Sequence, residues 1–221
     1  MDLFDLIGPV MIGPSSSHTA GAARIGLTAY SLLGEKVAQA VIGLHGSFAK
    51  TYRGHGTDRA IVGGLLGMHV DDVRLRESLE IAQKEEMAVR FEQVNLRGAH
   101  PNTVLLQITG VSGRQLTLEA ASVGGGNIEI HAINGQKVQF SGKADTLIIN
   151  HTDMPGMIAA VTTALAQKQV NIANMQVYRR KAGGDAMMVL ELDGELNEEM
   201  LGTISGVAGI RNCTFLKRRD D

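Results

Sequence analysis

Apolar and polar positions change period several times along the chain, and each change marks an element. Ala20 to Leu33 is rich in alanine and leucine and sets Ile25, Tyr30 and Leu33 on one stripe, which predicts a helix ending near Gly34. Val37 to Leu44 is a short apolar run closed by Gly46, a strand pattern. A second helix is predicted through Ala60 to Met68, with Ile61, Leu65 and Met68 inward and Thr57 or Asp58 as its cap. Asp71 to Met87 carries Val73, Leu79, Ala82 and Met87 among charges, the pattern of an amphipathic surface helix. Val89 to Leu96 alternates as a strand until Gly98-Ala-His-Pro-Asn-Thr103 interrupts it, because Pro101 imposes a turn-like or extended backbone. Thr103 to Thr109 and Gln115 to Ala121 pair around Gly110 to Gly113. Asn127 to Ile133 and Lys137 to Phe140 pair around Asn134-Gly135, a strong type I′ signal.

Beyond Asp145 the pattern becomes more regular. Thr146 to Asn150 reads as a strand and Asp153-Met-Pro-Gly156 as a turn. Met157 to Gln169 reads as a helix with Ile158, Val161, Leu165 and Ala166 on one side. Strands follow at Val170 to Tyr178 and Ala186 to Leu192, then a helix at Asn197 to Ile204 and a strand at Ile210 to Leu216. That order is β-α-β-β-α-β, the ferredoxin-like split arrangement. The fold class is therefore α+β: a mixed α/β domain over residues 1–143, the short linker Ser141 to Ala144, and a ferredoxin-like domain over residues 146–221. Met1 to Met11, apolar without clean alternation, is expected to pack as a short helix or turn.

Composition narrows the classes. A hydrophobic fraction of 44% and a charged fraction of 20% describe an ordinary globular chain with an adequate core. The formal charge is −2 with acids and bases interspersed, so there is no electrostatic footprint for nucleic acid. The one concentrated basic run, Lys217-Arg218-Arg219, sits beside two aspartates and reads as a solvated tail. No apolar run is long enough to span a membrane and the N-terminus lacks a signal-peptide pattern, so a cytoplasmic location is expected. The single cysteine, Cys213, cannot make an internal disulfide or hold a metal cluster alone, and it reads as a buried, inert thiol.

Candidate chemistry concentrates between Gly13 and Arg24, where Gly-Pro-Ser-Ser-Ser-His-Thr precedes the first helix. A polar loop feeding a helix N-terminus presents unpaired N–H groups and the positive end of the dipole, which suits a carboxylate or phosphate. Ser16, Ser17 and Thr19 add hydroxyl donors, and His18 titrates near neutral pH. A helix cap alone needs one or two such side chains. Three further stretches carry candidates. Glycines flank His55, which fits either a site residue or a loop histidine bonded to backbone. His100 and Asn102 project at a turn. Ser122-Val-Gly-Gly-Gly126 fits either an anion-binding backbone or a tight corner. His45, His69 and His131 read as structural.

Taken together, Ile12-Gly-Pro-Ser-Ser-Ser-His-Thr-Ala-Gly21, Gly54-His-Gly-Thr-Asp58, His100-Pro-Asn102 and Ser122-Val-Gly-Gly-Gly126 resemble the β subunit of the iron–sulfur-dependent bacterial L-serine dehydratases. The C-terminal domain resembles an ACT domain, with His151-Thr-Asp-Met-Pro-Gly156 similar to its strand-to-helix effector loop. A related pair of modules occurs as the regulatory, serine-binding segment of some D-3-phosphoglycerate dehydrogenases. No dinucleotide fingerprint precedes the first motif here, which excludes a complete dehydrogenase in this chain.

The resemblance implies elimination of water from L-serine, giving pyruvate and ammonia. It also implies a [4Fe-4S] cluster as Lewis acid in place of pyridoxal phosphate. Such a cluster needs several thiolates, so the resemblance places it on a separate cysteine-rich α subunit, with no metal ligand in this chain. His18 would do acid/base work. Ser15, Ser16, Ser17, Thr19, His55, His100, Asn102, Ser122 and Gly124 to Gly126 would bind substrate. Asp153, Pro155 and Gly156 would shape an effector loop, and a β–β contact between copies would run through the ACT or N-terminal domain.

Overall fold

The computed structural model describes residues 15–217. The readings made for Met1 to Met11, for the Gly13-Pro14 entry and for Arg218-Arg219 lie outside them. The chain forms two compact units that divide between Gly135 and Gln136.

The described part of the first unit starts at Ser15, and Ser16, Ser17 and His18, expected in a loop, lie on a helical turn. Ser16–Gly21 is a π-helical turn whose N-cap, Ser15, is extended at φ −145° and ψ 125°. It runs without a break into α1 (Ala22–Leu33). The widened turn holds only small residues in its last two positions, and Gly21 presses on Ser122: a Cβ at Gly21 would lie 2.0 Å from Ser122 Oγ. Isolated π turns of this kind concentrate at functional sites.

Next come β1 (Val37–Leu44), α2 (Gly46–Thr51), α3 (Thr57–Leu65), a 3₁₀ turn at Val73–Glu77, α4 (Ser78–Lys84) and β2 (Ala88–Gln93). The remaining strands are β3 (Thr103–Gly110), β4 (Gln115–Gly124), β5 (Asn127–Ile133) and β6 (Gln136–Phe140). The sheet order is β2-β1-β3-β4-β5-β6. β1 and β2 are parallel, so the helices between them form the long crossover that parallel pairing requires. The β3–β4 and β4–β5 pairs are antiparallel.

Alternation along β3 and β4 buries Val104, Leu106, Ile108, Leu116 and Leu118, while Leu105, Gln107 and Thr117 between them stay half-buried or exposed. α1 packs on the buried face and α3 packs on α1. The crossing is close because a Cβ at Gly26 would lie 2.2 Å from Ile61 O, and one at Gly64 2.2 Å from Ala23 O.

Two helix predictions change. Asp71 to Met87 is a 3₁₀ turn followed by a short α-helix rather than one amphipathic helix, with Val73 71% exposed and Leu75 and Ser78 buried instead. The N-cap of α3 is Gly56 at φ 70°, not Thr57 or Asp58.

The second unit's remaining elements are β7 (Asp145–Thr152), α5 (Met157–Gln167), β8 (Ile172–Arg179), β9 (Asp185–Leu192), α6 (Glu198–Ser205) and β10 (Ile210–Leu216). Their sheet order, β10-β7-β9-β8, is the antiparallel ferredoxin-like arrangement that the periodicity predicts. Leu147 and Ile149 of β7 and Met188 and Leu190 of β9 pack against Met157, Val161 and Leu165 of α5. The spacing of those α5 residues is one helical stripe. Ile158, expected inside, is 49% exposed, and Ala166 is exposed as well. Cys213 is half-buried against the same core, and burial pushes its thiol pKa up.

Candidate active site

Five segments distant in sequence meet at the end of the first sheet where β1 and β4 finish and β3 begins. The π turn is the centre. Ser15 caps it by accepting the His18 N–H at its Oγ (3.2 Å), and the Thr19 N–H donates to Ser15 O (2.9 Å). The cap therefore consumes one serine hydroxyl, and His18 projects from the first turn. Its Nδ1 lies 3.5 Å from Ser15 Oγ and its Nε2 lies 3.3 Å from Ser47 Oγ. Edge-on contacts with Phe48 (ring centroids 5.2 Å apart) and His55 (4.9 Å) fix the imidazole plane. Burial, and then the charge of His55, lower the His18 pKa from its ordinary value. At neutral pH the ring is therefore held in its neutral, proton-accepting form.

The neighbouring segments are tied to this turn by backbone and side-chain bonds. Thr19, buried, donates its hydroxyl to His55 O at 3.2 Å, which fastens the glycine-flanked loop while leaving the His55 ring exposed. The Ser122 N–H donates to Asn102 O at 3.0 Å, joining the third and fourth motifs. Gly124 to Gly126 have φ values of 106°, 57° and 77°. With Gly124 paired to Asn127, Gly125-Gly126 is the tight corner between β4 and β5. Arg24 of α1 donates to Gly126 O at 2.6 Å and secures that corner. His100 is exposed and accepts the Asn102 N–H at Nδ1 (3.1 Å), so its ring shapes its own turn. Ser16 and Ser17 are half-buried on the central turn.

Three buried oxygens in these segments have no hydrogen-bond partner among the described residues: Thr57 Oγ1, Asn102 Oδ1 and Ser122 Oγ. An unmet buried polar atom costs about 1–3 kcal/mol. All three lie in the motif segments of the first unit, and none is met by another described residue.

Ser47 and Phe48 are the site residues that the sequence does not reveal. They lie on a helix too short to show periodicity, and they reach His18 only through the fold. Two other histidines are engaged by neighbours: His45 Nδ1 accepts the Leu96 N–H at 3.2 Å, and His131 Nε2 pairs with Glu129 at 3.2 Å, while His69 is exposed. In the second unit, Asp153, Pro155 and Gly156 follow the strand that ends at Thr152. Asp153 accepts from Arg179 Nη1 (2.9 Å) and the Gly183 N–H (3.0 Å), while Pro155 and Gly156 are exposed. Beneath them His151 is buried, with Nδ1 beside Thr152 O at 2.8 Å and Nε2 without a partner among the described residues.

A hydroxyl- and imidazole-lined cluster on a mixed α/β unit is followed by a ferredoxin-like unit. The ACT family matches residues 146–209. The serine dehydratase beta chain family matches residues 1–133, and the chain belongs to that family. It is 42% identical over 212 residues to the probable L-serine dehydratase beta chain of Bacillus subtilis, covering 96% of each chain. It is 37% identical to the L-serine dehydratase beta chain of Peptoniphilus asaccharolyticus, covering 97% of each. It is also 27% identical over 198 residues to D-3-phosphoglycerate dehydrogenase of Synechocystis, spanning 89% of this chain but 35% of that protein. Among the described residues no helix is long and apolar enough to cross a membrane.

Proposed function

We propose that this chain is the β subunit of an L-serine dehydratase, acting in the cytoplasm. The reaction eliminates water from L-serine to give aminoacrylate, which tautomerises and hydrolyses to pyruvate and ammonia. One observation carries the reading: His18 is held between Ser15 and Ser47 in a unit whose other motif segments bury oxygens with no partner among the described residues.

The α-proton of an amino acid is weakly acidic, so its removal needs a base positioned within hydrogen-bonding reach and unprotonated at working pH. His18 has that state and accepts the α-proton. The hydroxyls of Ser16, Ser17 and Ser122, with Asn102 and the Gly124 to Gly126 backbone, receive the carboxylate and orient the substrate, while Ser15 and Thr19, whose hydroxyls are engaged by His18 and by His55 O, hold the turn that presents them. His55 and His100 border the pocket. Asn102 Oδ1 is an acceptor only, and it suits the substrate's ammonium group.

The iron–sulfur cluster does not fit the residues present. A cluster requires several thiolates, whereas Cys213 stands alone, half-buried in the second unit with its thiol pKa raised. Among the described residues no three His, Cys, Asp or Glu side chains gather as a metal site. The cluster is therefore assigned to a cysteine-rich α subunit, and no step in this chain runs through it. The ACT domain, residues 146–221, supplies an effector loop at Asp153, Pro155 and Gly156. Its edge strands β8 and β10 suit pairing with a second copy.

Anaerobic co-expression with the cysteine-rich partner, followed by measurement of pyruvate from L-serine, tests the reading. Turnover is expected only when both chains are present. Saturable serine binding by this chain alone, without turnover beside a cluster-loaded partner, would make it an amino-acid sensor instead.

A further inference from the structure

The backbone of the His100-Pro-Asn102 turn is bound to the segment that faces His18. The Ser47 N–H donates to Pro101 O at 2.7 Å, and the Phe48 N–H approaches the same oxygen at 3.5 Å. Pro101 O thus takes the place of a side-chain cap at the start of α2, where none is formed. The approach is close. Gly46 has φ 57°, and a Cβ there would lie 2.6 Å from Pro101 O. The turn itself is braced by Thr103 Oγ1, which donates to His100 O at 2.7 Å, and by the His45 N–H, which donates to Thr103 O at 3.0 Å. Two side chains leave this pinned helix start toward His18. Ser47 Oγ meets Nε2, and Phe48, fully buried, meets the ring edge.

We infer that Ser47 is the positioning residue for His18, and that the His-Pro-Asn turn serves to place it. Resting on the assignment of His18 as the base, the inference gives each end of the imidazole a serine hydroxyl. Ser15 sits at Nδ1 from the same turn, and Ser47 sits at Nε2 from across the fold. Ser15 moves with His18, being three residues away on the same turn. Ser47 is anchored independently, so it holds the ring's rotation, and its hydroxyl, able to donate or accept, completes with Ser15 the pair of partners that keeps one tautomer dominant. Neutral histidine has one donor and one acceptor nitrogen, and the partner at one decides the other.

The test is Ser47→Ala, with Ser47→Thr as the conservative variant that keeps the hydroxyl. In the two-chain enzyme Ser47→Ala is expected to lower kcat by about tenfold or more while KM stays within about twofold, since a misaimed base loses rate rather than affinity. Ser47→Thr should recover most of that loss. On the full chain, nitrogen NMR of His18 is expected to show one dominant tautomer in the wild type and in Ser47→Thr, and a mixture in Ser47→Ala. An unchanged tautomer together with unchanged kcat in Ser47→Ala overturns the inference. If Ser47→Ala does not fold, Gly46→Ala decides: it keeps Ser47 but drives the helix start away from Pro101, and an unmoved His18 spectrum refutes the placement. The NMR readout is independent of the reaction. A mixed tautomer in Ser47→Ala would stand even if replacing His18 left turnover intact, and that second result would refute only the base assignment.

Discussion

The Ser15–Gly21 turn of the first unit and the Asp153–Gly156 loop of the second both lead from an extended segment into a helix, yet they handle polar groups in opposite ways. In the second, the Asp153 carboxylate is matched by the Gly183 N–H and the Arg179 guanidinium, and the Asp153 N–H donates to Gly184 O at 2.8 Å. In the first, His18 meets its serines at 3.3–3.5 Å, and in the other motif segments of that unit the oxygens of Thr57, Asn102 and Ser122 are buried without a partner among the described residues. The second unit holds one such atom, His151 Nε2, just before its matched loop. An unmatched buried polar atom carries a free-energy cost that a ligand can relieve, and three of the four lie in the first unit's motif segments.

Three substitutions sharpen this contrast, beginning with the largest effect. Ser122→Ala removes a buried hydroxyl that has no partner among the described residues. The account therefore expects opposite signs: unfolding free energy up by about 1 kcal/mol in the chain alone, and KM for serine up about tenfold in the two-chain enzyme. Denaturant titration and steady-state kinetics read the two. A loss of stability would show that Ser122 is structural.

His55→Gln removes one of the two influences on His18. With the neighbouring charge gone and burial remaining, the His18 pKa should rise but stay below its ordinary value. A base works only when unprotonated. The acid limb of kcat/KM therefore lies below the usual imidazole range in the wild type and moves up, by less than about one pH unit, in the variant.

Asp153→Asn has the smallest effect. The Gly183 N–H and Arg179 hold the Asp153 carboxyl below the usual carboxylate range. A depressed pKa gives a contribution that is full above the unfolded value and fades as pH falls through the folded one. The melting temperature of Asp153→Asn should be slightly lower than wild type near pH 7, and the difference should close in acid. A gap that persists in acid would mean the loop is held by something other than the carboxylate.

Much of the fold was legible because it rests on local patterns. The βαββαβ order of the second unit follows from period alone. Asn134-Gly135 forms the turn that its residues require, with φ values of 50° and 71°. The four motifs were legible as separate polar islands. What the sequence concealed depends on distance in the chain. The π turn is a shift in hydrogen-bond register, stabilised where Gly21 meets Ser122, and no residue pattern announces it. α2 exists because Pro101 O caps it and Phe48 is buried, both set by the fold rather than by six residues of propensity. The Asp71–Met87 helix fails because Val73 faces water while Leu75 packs against Gly63, a choice made by tertiary contact. Ser47 was invisible for the same reason.

The central claim is that His18 is the base of a site this chain shares with another. His18→Asn, in enzyme assembled with the cysteine-rich partner, tests it most directly. The account predicts a fall in kcat of about 10²- to 10⁴-fold, with assembly and melting temperature retained. Turnover within a few-fold of wild type in a correctly folded, assembled enzyme would contradict it.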